Sequence, residues 1–164
     1  METQSLQEQY APQNRCFGCG PANDKGLKLR SFPPAQGNTG RHKAREGELV
    51  ASWTPEPHHL AFQGVLNGGI CGALLDCHSN WTAIYHLMQE RGLTSAPAMV
   101  TADFHVKLKR PTPLIQPVEL RARAVETSGD RVIVEATMES GGLVTATCRG
   151  TFVAVKEGHP AYKW

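Results

Sequence analysis

The chain has 164 residues, a length that suits one domain with a substantial buried core. Hydrophobic residues make up 40% of it and charged residues 20%, which is ordinary for a soluble globular protein. The formal net charge of +2, from 17 basic and 15 acidic side chains, offers no concentrated basic face, so no nucleic-acid partner is expected.

The first 15 residues are polar and lack an apolar run, which predicts a loosely ordered leader (residues 1–15) rather than a secretory signal. No segment contains the roughly twenty apolar residues that cross a membrane, so no membrane partner is expected. Five cysteines, an odd number scattered through apolar segments, are typical of a reducing compartment. We therefore predict a cytoplasmic protein without a disulfide framework.

A single domain is predicted over residues 16–156, followed by a C-terminal tail over residues 157–164. Its first half contains two candidate strands, at residues 27–32 and about 47–55. The segment over residues 56–67 has no apolar period, because proline and paired histidines interrupt it, and it is predicted to be a loop.

One long helix is predicted from Gly68 to about Gln89, where apolar residues recur every three or four positions. Asn67 is a good N-cap residue at its start, and Gly92 is a plausible C-cap. After the helix, four segments are predicted to be strands joined by tight turns: residues 98–111, 117–127, 131–140 and 142–155. This order predicts an α+β fold in which the helix packs on an antiparallel sheet.

Alternation along the first of these four strands divides its side chains between two faces. Ala102, Phe104, Val106 and Leu108 are predicted on one face, and Thr101, Asp103, His105 and Lys107 on the other. The basic run that ends the strand, residues 107–110, is predicted to be a solvated strand end, with contact to a ligand phosphate as the alternative.

Asp76 is the unusual residue of the helix. It lies about two turns after Gly68, too deep to act as a cap, and no cation lies three or four positions away. Because desolvation of a carboxylate costs several kcal/mol, an acid beside apolar surface is typical of a functional group. The structural alternatives are exposure on a solvated side or a hydrogen bond to the sheet.

The sequence resembles the hotdog-fold acyl-CoA thioesterases of the PaaI-like superfamily. The resemblance rests on "NGG" at residues 67–69, "LLD" at 74–76, "VTADFHVKLKRPTP" at 100–113 and "CFGCGPANDKGLKL" at 16–29, in that relation along the chain. It implies a hotdog fold, in which an antiparallel sheet wraps a long central helix. It also implies an acyl-CoA substrate, a homodimer or dimer of dimers, active sites at subunit interfaces, and no cofactor.

The resemblance further implies the site residues. Backbone N–H groups of Gly68 and Gly69 polarise the thioester carbonyl, with Gly69 and Asn67 among the catalytic positions. Asp76, supplied across the interface, is the nucleophile or the general base on water, and Thr101 is the hydroxyl residue that helps to hold that water.

Two positions depart from the family pattern. Asn67 stands where histidine is usual, and it cannot titrate. Ala61 stands where many members have a water-orienting Asn or Gln. Gln63 and His59 are the nearby substitutes in substrate binding, Gln63 being the better one because its amide both donates and accepts, and a structural or exposed role is the alternative for His59. These departures leave a second class of function open: a non-catalytic hotdog module that binds acyl-thioesters. A dehydratase is a weaker third reading, because those hotdog enzymes place a histidine near the acid.

Cys16 and Cys19 form a Cys-x-x-Cys pair that could suggest zinc. A structural zinc site normally has four ligands, and no second pair follows, since Cys71, Cys77 and Cys148 are isolated in the sequence. We therefore predict no metal site, and expect the pair to pack the leader segment against the domain.

Overall fold

A computed structural model of the protein describes residues 3–33 and 45–162. Within them, a short helix and a long helix accompany seven strands. The elements are α1 (Leu6–Tyr10), β1 (Glu48–Trp53), β2 (Leu60–Phe62), β3 (Val65–Leu66), α2 (Gly68–Arg91), β4 (Met99–Leu108), β5 (Val118–Ser128), β6 (Arg131–Ser140) and β7 (Leu143–Ala154). Single 3₁₀ turns occur at Pro57–His59 and Pro160–Tyr162.

Five strands form one antiparallel sheet in the order β1-β5-β6-β7-β4. Helix α2 packs on one face of this sheet and contacts all five strands. The predicted α+β hotdog fold, with a long helix against an antiparallel sheet, is thereby confirmed.

The core lies between α2 and the sheet, where apolar side chains are removed from water. From the helix, Leu74, Leu75 and Leu87 are fully buried; from the sheet, so are Leu120 and Phe152. Each such side chain contributes about 1.5–3 kcal/mol through burial. The helix ends as predicted, because Gly92 adopts the left-handed conformation (φ 62°) that closes a helix C-terminus.

Two predictions for the first half of the chain were wrong in detail. The predicted strand over residues 27–32 does not form: only Phe32 pairs, in an isolated bridge with Val50, and Lys28 adopts a left-handed conformation with φ 54°. The predicted loop over residues 56–67 contains the short hairpin β2–β3, which turns at Gly64 with φ 79°. Strands of two or three residues are too short to show the alternation of apolar and polar residues by which a strand is recognised in a sequence.

The predicted leader is ordered where the structure describes it. Helix α1 begins with a capping box, in which Ser5 and Glu8 satisfy each other's backbone N–H groups. Leu6 is only 2% exposed, and the buried Gln7 amide bonds to Ser31. The described residues exclude residues 1–2 of the predicted leader, residues 163–164 of the predicted tail, and residues 34–44.

No helix in the described part of the chain combines the length and apolar character that crossing a membrane demands.

Candidate active site

The start of α2 presents backbone N–H groups to solvent. The Asn67 side chain caps the helix by accepting from the Ile70 N–H at 3.1 Å. The N–H groups of Gly68 and Gly69 have no hydrogen-bond acceptor among the described residues. Two free amides at a helix N-terminus make a site for a negative or developing negative oxygen.

His59 supports this helix start through its backbone. Its carbonyl oxygen accepts from the Asn67 N–H at 2.9 Å, while its ring Nδ1 accepts from the Glu56 N–H. Burial lowers the pKa of His59, with a further contribution from the neighbouring His58. The ring packs against Trp53, with 4.9 Å between ring centroids. His59 therefore positions the cap.

Gln63 lies exposed in the β2–β3 turn. Within the described residues its side chain makes no hydrogen bond to Asn67, to the glycine pair or to Asp76.

Asp76 is partly buried on α2 and accepts a hydrogen bond from the Thr101 hydroxyl at 2.7 Å. Burial raises the pKa of Asp76, the Thr101 hydrogen bond lowers it, and the negative charge of Cys16 raises it. The acid and the hydroxyl residue singled out from the sequence are thus brought together.

The position of Thr101 corrects the predicted alternation of β4. The register against β7 shifts between Thr101 and Asp103, as in a β-bulge. Thr101 consequently points to Asp76 on α2, and the Phe104 ring also lies on the helix side, 4.0 Å from where a Gly72 side chain would begin. Strict alternation had placed these two residues on opposite faces.

The acid and the free amides are far apart within one chain. Asp76 follows Gly68 by eight positions, and a helix rises 1.5 Å per residue, so the two lie roughly 12 Å apart along the axis. One carbonyl group cannot contact both within the same chain, because a hydrogen bond spans only about 3 Å.

A cavity of about 220 Å³ opens beside Asp76. Its lining is largely apolar and includes side chains from α2, from the start of β4 and from the N-terminal segment. Among these are Asp76, Asn80, Trp81, Ile84, Met99 and Cys16.

Asn80 is a site residue that the sequence analysis missed. It follows Asp76 by four positions on α2 and so lies on the same helix face. Its Nδ2 donates to the Met99 carbonyl, whereas its buried Oδ1 has no hydrogen-bond partner in the described structure. The spacing of four residues from Asp76, which places both side chains on one helix face, could have identified Asn80 from the sequence.

The Cys16–Cys19 pair packs the N-terminal segment against α2, as predicted, and a third cysteine joins it there. Cys77, which is isolated in the sequence, lies beside the Cys16–Cys19 pair, and the three sulfurs are all within 4.8 Å of one another. The Sγ atoms of Cys16 and Cys77 are 3.7 Å apart. Sixty-one positions separate them in the chain, so local spacing gave no sign of this contact.

A second group that could hold a metal ion consists of Glu56, His58 and His59. Here Nδ1 of His59 is already engaged by a backbone N–H, and the other two side chains are exposed. The cysteine group is the better donor set.

No family model matches the sequence, and no curated protein is similar enough to count as a relative. Solved structures do match. A thioesterase superfamily protein aligns with 82% of this chain at a TM-score of 0.63 and 20% identity; the chain spans only 60% of that protein's length. A thioesterase superfamily protein from Shewanella loihica aligns with 83% of this chain and 98% of its own at a TM-score of 0.60 and 25% identity.

The Escherichia coli PaaI protein, from the phenylacetic acid degradation operon, aligns with 68% of this chain and 75% of its own, at a TM-score of 0.58 and 15% identity. These likenesses agree with the motifs and with the observed order of helix and strands. The chain therefore has the fold of these thioesterase superfamily proteins.

Proposed function

We propose that the protein is an acyl-CoA thioesterase that hydrolyses a thioester to a carboxylic acid and CoA. The observation that carries the proposal is the combination of free Gly68 and Gly69 amides with an Asp76 carboxylate held by Thr101. A thioester carbonyl develops negative charge during hydrolysis, and preorganised amides stabilise that charge.

The distance between these groups requires two chains. Strand β4 is an edge of the sheet, and in the described residues its outer side pairs with no other strand. Antiparallel pairing of two β4 edges would place the Asp76 of one protomer near the helix start of its partner. The proposed active unit is therefore a homodimer, which can pair again into a dimer of dimers.

The proposed reaction uses Asp76 as a general base. Its carboxylate takes a proton from a water molecule that Thr101 helps to hold, and the water oxygen adds to the thioester carbon. The Gly69 N–H, with Gly68 beside it, stabilises the resulting oxyanion. When the tetrahedral intermediate collapses, the CoA sulfur leaves and receives the proton from Asp76.

The cavity supports a small acyl group. At about 220 Å³, it exceeds the roughly 150 Å³ apolar cavity that accommodates benzene, but it is too small for a long acyl chain. Trp81, Ile84 and Met99 provide an apolar lining. The similarity to a protein of a phenylacetic acid degradation operon adds weight to an aromatic acyl group. A cytoplasmic location remains the prediction from the sequence.

Two inactive variants test the shared site. Asp76→Asn keeps an acceptor for Thr101 but removes the base, and we expect a loss of at least about 100-fold in kcat. Gly69→Pro removes the amide, with an expected loss of about 100- to 1000-fold, and Gly69→Ala is its control because it adds a similar side chain but retains the N–H.

Co-expression of the two inactive variants should restore about a quarter of wild-type activity, since half of the dimers are mixed and each mixed dimer has one intact site. Hydrolysis of short aliphatic and aromatic acyl-CoAs is the measurement. Full activity in Asp76→Asn, or no recovery in purified mixed dimers, would contradict the proposal.

The alternative, a non-catalytic module that binds acyl-thioesters, is favoured by one observation: the Asn67 side chain is committed to the cap and cannot titrate. Saturable binding of a non-hydrolysable acyl-CoA, with no turnover of the matching substrate, would support it.

A further inference from the structure

We propose that Cys16, Cys19 and Cys77 bind one zinc ion through three thiolates, with water from the neighbouring cavity in the fourth position. The zinc ligands are distinct from the proposed catalytic residues but line the same cavity as Asp76. The proposed zinc site also replaces the sequence prediction that no metal site exists.

The spacing of the sulfurs fits a tetrahedral ion. Zinc–sulfur bonds of about 2.3 Å place two thiolates of a tetrahedron about 3.8 Å apart. Sγ of Cys16 and Sγ of Cys77 are 3.7 Å apart, and all three sulfurs lie within 4.8 Å of one another. A disulfide would require about 2.05 Å and would leave the third thiol unused.

The loop that carries the first two cysteines is shaped to bring them against α2. A side chain at Gly18 would begin 2.3 Å from the Cys77 sulfur, so only glycine permits this approach. The Gly20 N–H donates to the Cys16 carbonyl at 2.8 Å, which closes the turn between the two ligands.

Hydrogen-bond donors surround the sulfurs, as around metal-bound thiolates. The Cys77 sulfur lies within hydrogen-bond distance of the Cys16 sulfur, and the backbone N–H groups of Gly18 and Cys19 also hydrogen-bond to it. The Trp81 side chain donates to the Cys19 sulfur. Zinc binding would displace the remaining thiol protons to solvent, without any change of oxidation state.

The donor set and the open position favour zinc. Thiolates select thiophilic ions such as zinc over magnesium or calcium. All three cysteines line the 220 Å³ cavity, from which water can reach the fourth position. Because Cys77 directly follows Asp76, the ion would fasten the N-terminal segment to α2 beside the proposed base.

Metal content and cobalt spectra test the proposal. Protein purified from zinc-supplemented cells should contain one zinc per chain by mass spectrometry. Replacement with Co²⁺ should give an intense thiolate-to-cobalt charge-transfer band. Cys16→Ser and Cys77→Ser should each lower zinc affinity by more than about 100-fold, because loss of a ligand exceeds the 10- to 100-fold cost of losing an outer-shell partner.

Cys71→Ser is the matched control, since Cys71 is a buried cysteine of the same helix whose sulfur contacts Thr112 instead. It should bind zinc as the wild type does. Gly18→Ala retains all five thiols yet pushes the loop away from Cys77, so it should also weaken zinc binding. It tests the site without removing a cysteine, so the conclusion does not depend on whether the cysteine variants fold.

Three results would overturn the proposal: no cobalt band from protein with five free thiols, equal zinc loss in Cys71→Ser and Cys77→Ser, or a metal-free Cys16–Cys77 disulfide in freshly purified protein.

Discussion

At the scale of single residues, the pair Asp76 and Thr101 decides what the site can do. The Thr101 hydroxyl donates to a carboxylate whose pKa is raised by burial, so the hydrogen bond favours the ionised form that a general base needs. Asn67 caps α2 and has no titratable ring, so in the proposed mechanism Asp76 carries the proton transfer.

Thr101→Val should raise the pKa of Asp76 further, because it removes the hydrogen bond that opposes the effect of burial. In a plot of kcat against pH, the acid limb should therefore move to higher pH. The substitution should change kcat more than KM. Thr101→Ser, which restores the hydroxyl, should return the limb toward its original position. A valine variant with an unshifted limb would remove Thr101 from this role.

At the scale of elements, a buried histidine joins the N-terminal segment, α2 and β1. Nε2 of His78 donates to the Leu49 carbonyl at 3.1 Å, and Nδ1 accepts from the Ser31 hydroxyl at 2.9 Å, so the ring is neutral. Burial lowers the pKa of His78 to about 4. The unfolded chain, with the ordinary histidine pKa of about 6.5, therefore binds this proton more readily than the folded chain.

The free energy of unfolding should accordingly be highest above about pH 6.5 and should fall as the pH drops toward 4. His78 should account for on the order of 3 kcal/mol of this fall. The urea midpoint as a function of pH measures the effect. His78→Asn should flatten the curve in this window, even though it lowers stability at pH 7. Equal slopes in the wild type and His78→Asn would contradict the assignment.

At the scale of the whole molecule, the two edges of the sheet differ. The edge at β1 is partly covered, because Phe32 exchanges two backbone hydrogen bonds with Val50. The edge at β4 has no such cover among the described residues, and Phe104 and Leu108 on that strand are 44% and 57% exposed. An uncovered edge strand with exposed apolar side chains is typical of an interface.

Phe104→Asp should convert the proposed dimer to monomers and reduce the proposed hydrolysis at least about 100-fold, because each site would lose either its base or its amides. Leu143→Asp is the control: Leu143 is 56% exposed but lies at the β6–β7 turn. Light scattering after size exclusion gives the oligomeric state. A Phe104→Asp dimer with full activity would place the interface elsewhere.

The sequence by itself determined the features that depend on neighbouring residues. Helix α2 followed from the apolar period, and its ends followed from Asn67 and Gly92, since caps are local interactions. The capping box at Ser5 and Glu8 was equally local and could have been recognised as the start of α1. Asp76 was singled out because a carboxylate on an apolar helix is costly whatever the rest of the fold.

Only the tertiary structure decided which distant side chains meet. Thr101 reaches Asp76 because a bulge in β4 changes which side chains face α2. Strict alternation would place Thr101 and Phe104 on opposite faces of the strand. Cys77 joins Cys16 across 61 positions because a glycine lets the loop approach α2. Asn80 gains its buried, unpaired oxygen from the packing of β4 against α2. Such contacts are set by packing between elements, which local spacing in a chain does not encode.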